Sequence, residues 1–266
     1  MSTHTYKLTI AYDGALYHGW QKQPNRPTIQ AAIEKAFLSI TGETVSLVGA
    51  GRTDAGVHAL AQVAHVHLTR NREPAKLLAG LNALLPHDIA VRSVERVDAT
   101  FHARFLAKSK TYRYFIRNSP IRSPHDRQTA WHIKSPLNLV RMRTAASYLL
   151  GRRDFSSVVA SDHDSKNSIL DLKEIRIFKR GEQMMITLIA TRFLKYMVRN
   201  IVGLLVEVGI GRRLASDMIP ILEGRDRRLA GRTAPSHGLF LVGVDYGFSE
   251  IQKTEHRQTD NKHRET

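Results

Sequence analysis

Hydrophobic and polar positions alternate from Tyr6 to Tyr12, and Asp13-Gly14 then supplies turn residues, which predicts a strand. Behind Pro27-Thr28, the residues Ile29, Ala32, Ile33, Ala36, Phe37 and Ile40 recur at helical spacing, and Gly42 marks the stop. Thr44 to Val48 reads as a short strand and Gly49 to His58 as a loop. Gln62 to Leu68 alternates again, with Ala64, Val66 and Leu68 on one face. Pro74 opens a helix carrying Leu77, Leu78, Leu81, Leu84 and Leu85, which Pro86 ends; Ile89 to Val97 is a further strand. The order βαββαβ is that of a ferredoxin-like unit.

The second half repeats the order without repeating the sequence. Lys110 to Arg117 reads as a strand and Leu137 to Leu150 as a helix. Leu172 to Phe178 and Met184 to Ala190 pair around Arg180-Gly181. Phe193 to Gly209 is a long helix, Leu214 to Leu222 a short one, and Leu239 to Tyr246 a last strand. The predicted fold class is therefore α+β: two ferredoxin-like halves, residues 1–104 and 105–247, whose antiparallel sheets join over a central cleft. Residues 248–266 have little apolar content and are expected to form a disordered tail.

Charge changes the picture. Forty Lys and Arg against 24 Asp and Glu leave a net charge of +16. That excess favours a polyanionic partner, since basic side chains that neutralise phosphates release counterions. An anionic membrane surface is the rival, but no basic amphipathic helix or polybasic run beside an anchor is visible. A merely solvated basic surface is the plainest alternative. With no cysteine, disulfides, iron–sulfur clusters, thiol nucleophiles and Cys-ligated zinc are excluded. No apolar run reaches the length of a membrane span and no secretory signal is visible, so the expected location is cytoplasmic.

The strongest local signal is Gly49-Ala50-Gly51-Arg52-Thr53-Asp54-Ala55-Gly56-Val57-His58. A dinucleotide-binding reading fails because Asp54 stands where a third glycine belongs, and no helix pattern follows. On spacing alone Asp54 is either a functional carboxylate or an Asx-turn residue. His65 and His67 sit two apart on one face of a strand, with His58 just upstream, a spacing compatible with a metal, but no third ligand is fixed by pattern and that face reads as the polar one. Exposed strand histidines are the reading preferred here.

The run Gly51-Arg52-Thr53-Asp54-Ala55-Gly56-Val57-His58-Ala59 resembles the active-site motif of the TruA family of tRNA pseudouridine synthases. Tyr12-Asp13-Gly14 with Tyr17 to Gln23 is similar to that family's first strand and turn. Phe101 to Arg104, Tyr112-Arg113-Tyr114, Met197 to Gly203, and Thr233-Ala234-Pro235 with Gly238-Leu239 match in kind and order. The resemblance spans about Tyr6 to Tyr246. It implies a homodimer that isomerises uridine to pseudouridine at positions 38, 39 and 40 of the tRNA anticodon stem-loop, with no metal, cofactor or nucleotide. Asp54 is implied as the nucleophile, at the ribose C1′ or at the base, and Arg199 as its partner cation. Tyr112 is implied to stack on the target base, Arg52 to help flip it out, and Leu239 to line its pocket. Without the resemblance, Arg199 reads as a surface or phosphate-binding arginine and Tyr112 as an ordinary strand aromatic.

Four positions depart from the family pattern. Tyr196 stands where histidine is usual, Arg153 likewise, and Val158-Val159 replace Phe-Arg. These positions are expected nearer RNA contact than chemistry. Two other functions compete: a pseudouridine synthase acting on another RNA site, and an inactive RNA-binding protein or chaperone. Joint retention of Asp54, Arg199 and Tyr112 argues against the last.

Overall fold

The computed structural model describes residues 3–160 and 167–247. The expected tail at 248–266 lies outside them. The first run of elements is β1 (His4–Tyr12), α1 (Ile29–Thr41), β2 (Val48–Gly49), β3 (His58–Leu68), α2 (Pro74–Leu84) and β4 (Ile89–Val97). The second is β5 (Ser109–Asn118), β6 (Trp131–Ile133), α3 (Leu139–Ser147), β7 (Gly151–Asp154), β8 (Ile169–Arg180), β9 (Gln183–Ala190), α4 (Met197–Gly209), α5 (Met218–Glu223) and β10 (Leu239–Asp245).

Local chemistry sets most boundaries. The Thr28 hydroxyl accepts from the Ala31 N–H at the start of α1, and Gly42, with φ +74°, takes the left-handed conformation that closes it. Pro74 opens α2, and Leu85 turns extended ahead of Pro86. In β1, Tyr6, Leu8, Ile10 and Tyr12 are all buried, in one cluster with Ile29, Ile33 and Phe37 of α1.

All ten strands form one sheet, whose main order is β4-β1-β3-β10-β5-β9-β8-β7, with β2 on β3 and β6 on β5. The first run has the ferredoxin order 4-1-3-2 and so does the second, counting β5, β8, β9 and β10 as its four strands. The mixed α+β class with two ferredoxin-like halves therefore holds. The halves meet along β3 and β10, which run parallel with Phe240 opposite His58 and Leu241 opposite Ala59. The principal core crosses this seam. A smaller cluster of Ala50, Val63, Phe101 and Ala103 lies apart from it.

Several predicted elements differ. Residues 44–47 are not a strand: the Glu34 carboxylate accepts from the Leu47 N–H (3.1 Å), and the Gln30 amide donates to the Leu47 carbonyl (3.1 Å). Side chains of α1 thus take the place of a neighbouring strand. The long helix begins at Met197 instead of Phe193, because Tyr196 has φ +63° and stands outside helical space. The predicted Leu214–Leu222 helix is a 3₁₀ turn at 215–217 followed by α5. Strands β6 and β7 escaped notice because three or four residues carry no readable alternation. Among the described residues, no helix is long and apolar enough to cross a membrane.

Candidate active site

A row of residues in register crosses the seam from one half to the other. Tyr12 on β1 faces Ala59 on β3, Ala59 faces Leu241 on β10, and Leu241 faces Tyr112 on β5. All four are buried. Residues opposite one another in register share a face of the sheet, so the two tyrosines lie on the same side.

The loop carrying Asp54 leads into β3 and is fixed chiefly by main chain. The Ala50 N–H donates to the Val63 carbonyl (2.7 Å), the Trp20 N–H to the Thr53 carbonyl (3.1 Å) and the Gly56 N–H to the Tyr17 carbonyl (3.2 Å). Two side-chain contacts add to these: the Gln62 amide donates to the Gly51 carbonyl (2.8 Å), and the Tyr12 and Thr53 hydroxyls lie 2.8 Å apart. Such proximity demands glycine. A Cβ on Gly14 would lie 2.0 Å from the Val57 carbonyl oxygen, and one on Gly19, where φ is +88°, 2.4 Å from that of Thr53. The two motif blocks at 12–23 and 51–59 are therefore one interlocked piece of backbone.

Asp54 begins a turn in which the Val57 N–H donates to the Asp54 carbonyl (3.1 Å), with Gly56 at φ +75°. The Gly56 N–H is committed to Tyr17, and the Asp54 carboxylate reaches out of its own turn to Arg199 Nη1 at 3.3 Å. This displaces the Asx-turn reading. Arg199 lies in the first turn of α4. Its Nε donates to the Ala234 carbonyl (2.7 Å), while the Ala234 N–H donates back to the Arg199 carbonyl (3.0 Å). Behind it the fully buried Asn200 donates to the Val158 carbonyl (2.9 Å) and accepts from Arg227 (2.9 Å) and the Thr233 hydroxyl (2.7 Å).

Burial pushes the Asp54 carboxyl above its ordinary range, and Arg199 and Lys195 pull it only partly back. The guanidinium was expected to favour the charged form; it does, but desolvation outweighs it. Burial also raises the Tyr112 and Tyr12 phenols, with Asp54 adding to the rise at Tyr112. Both rings stay protonated at neutral pH.

Asp54, Arg199 and Tyr112 are thus brought together. Leu239 is buried one register row away, opposite Tyr114. Arg52 is exposed, and its Nε donates to the Gln21 side chain (3.1 Å). The Val158 and Val159 side chains are buried in the core and pack there, while Arg153 is exposed. The histidine reading needs correction: His58 and His65 are buried. His58 takes the Gly14 N–H (3.2 Å) and faces the His237 carbonyl (3.1 Å). His65 accepts the Ala103 N–H (3.1 Å), and burial lowers its pKa to about 4. Segment 101–103 covers what looked like a polar face.

Two cations near this site were not singled out from sequence. Lys195 acts on Asp54, and Lys110 lies on β5 under Gly51, its pKa lowered to about 8 by burial and by Arg104. The signal for Lys110 was its spacing, two residues before Tyr112 and hence on the same face.

Residues 8–106 and 145–247 match the family model described as tRNA pseudouridine synthase. The chain is 44% identical over 240 residues to tRNA pseudouridine synthase A of Acetivibrio thermocellus, covering 90% of this chain and 98% of that one. It is 43% identical over 239 residues to the protein of the same name from Thermoanaerobacter sp. strain X514, with the same two coverages.

Proposed function

The chain belongs to the tRNA pseudouridine synthase family, and from that premise we propose that it isomerises uridine to pseudouridine in tRNA, at positions 38, 39 and 40 of the anticodon stem-loop. The observation that carries this reading is the Asp54–Arg199 pair, 3.3 Å apart and contributed by different halves, with Tyr112 close enough to feel the carboxylate charge.

In the proposed reaction Asp54 attacks the target nucleotide and the C1′–N1 bond breaks. The freed base rotates and its C5 bonds to C1′ as the bond to the Asp54 carboxylate breaks, after which the C5 proton leaves and N1 takes up another. Arg199 offsets part of the burial that disfavours the anionic carboxylate and keeps it aimed. Tyr112 offers a ring on which an unstacked base rests, and Leu239 closes the base pocket. Arg52, exposed at the loop, assists the flip. The net charge of +16 supplies the sequence-independent part of tRNA affinity. The working unit is a cytoplasmic homodimer, and the division near residue 104 separates the half bearing the nucleophile from the half bearing its cation.

Tritium release from tRNA transcripts labelled at uridine C5 tests this directly, since C5 loses its hydrogen when it bonds to the ribose. Release is expected from uridines at 38, 39 and 40. Asp54→Ala should lower it by at least about a thousandfold, with tRNA affinity within a few-fold of the parent. Release confined to another RNA would redirect the substrate, and binding without release from any RNA would mark an inactive binder.

A further inference from the structure

Tyr196 occupies a position that backbone sterics reserve for other residues. The chain reverses into α4 through a turn closed by the Met197 N–H on the Leu194 carbonyl (3.1 Å), and Tyr196 is its third residue, at φ +63° and ψ −1°. Glycine or asparagine is usual there, and a bulky side chain in left-handed space is strained. Nor does the ring earn its place by burial, since Tyr196 is 36% exposed and its side chain makes no capping hydrogen bond.

What the ring does touch is the site. The Arg199 guanidinium carbon lies 4.9 Å from its centroid and the Lys195 ammonium 5.5 Å. These are the two cations that act on Asp54. Arg199 is otherwise tied by one bond to Ala234 and one longer contact, 3.3 Å, to Asp54 itself. Strained backbone persists where surrounding contacts over-determine it, often at functional sites.

We propose that Tyr196 is a positioning residue, whose ring face holds Arg199 and Lys195 against the Asp54 carboxylate. This rests on the reading of Asp54 as the nucleophile, and it assigns work to one of the positions where the chain departs from its family pattern.

The test compares the parent with Tyr196→Gly and Tyr196→Phe. Glycine suits the left-handed turn, so Tyr196→Gly should melt at the parent temperature or a few degrees higher. Its kcat on tRNA should nevertheless fall about tenfold while KM stays within about twofold, the scale of a lost cation–π contact. Asp54 faces Arg199 and Lys195 from the α4 side and Tyr112 from β5. In the free protein, its carboxyl NMR titration should therefore move upward in Tyr196→Gly and stay at the parent midpoint in Tyr196→Phe, which should also keep parental kcat. A glycine variant with parental titration and kcat would overturn the proposal. So would one that melts well below the parent, since the ring would then be a structural prop. A shifted titration in a protein whose parent forms no pseudouridine would sustain the positioning role and sink the functional reading instead.

Discussion

The loop that carries Asp54 and the helix that carries Arg199 are mounted in different ways. In the first half Asp54 sits on interlocked main chain, which Gly14 and Gly19 allow to approach within van der Waals contact. In the second half the cation sits on a helix braced by side chains: Asn200 at the centre, Arg227 and Thr233 around it. A main-chain mount has few adjustable parts, whereas a side-chain network can relax when one member is lost. On the proposed mechanism, the group that attacks is the one held rigidly, and the group that tunes its charge is held by parts that can adjust.

The largest effect should come from the rigid side. Gly14→Ala places a methyl group on the Val57 carbonyl and should cost about 3 kcal/mol, read as urea unfolding, with turnover falling even in the fraction that folds. Parental turnover in a folded Gly14→Ala protein would show that the interlock does not position Asp54. Asn200→Ala comes next. It strands the Val158 carbonyl and removes one acceptor from Arg227, which keeps Gly231 and Thr233, for a loss of about 2 kcal/mol, but kcat should drop less than in Gly14→Ala, because Arg199 keeps its Ala234 bond. Equal losses of kcat would erase the distinction between the two mounts.

The smallest effect at neutral pH concerns His65, which accepts the Ala103 N–H beneath the Asp54 loop. Its pKa is lowered to about 4, so the folded state disfavours the charged ring. Stability is then flat above the ordinary value near 6.5 and falls as pH drops from there toward about 4, by on the order of 3 kcal/mol. His65→Leu should flatten that slope in melting curves taken across the window. An unchanged slope would place the acid-sensitive group elsewhere.

Much of this was legible in the sequence, and the exceptions share a cause. The elements β1, α1, α2 and β4 follow from periodicity, Thr28, Gly42 and the two prolines, all signals contained within a few residues. Asp54, Arg199 and Tyr112 could be named because they lie in recognisable motif blocks. Residues 44–47 misled because the partners of Leu47 are Gln30 and Glu34, side chains that no local pattern announces. His65 misled because its covering segment, residues 101–103, lies far along the chain. Lys195 and Tyr196 gained a role only once α4 was seen to start later than its apolar pattern.

The parallel join of β3 to β10 also sets a timetable. Its partners, His58 with Phe240 and Ala59 with Leu241, are separated by roughly 180 residues of chain (240 less 58). During synthesis, the edge of β3 beside the Asp54 loop emerges long before the strand that will cover it. Until β10 arrives, that edge is an open template for pairing with other chains. Until β10 docks, Asp54 and Arg199, which lie in different halves, lack the strand pairing that joins those halves.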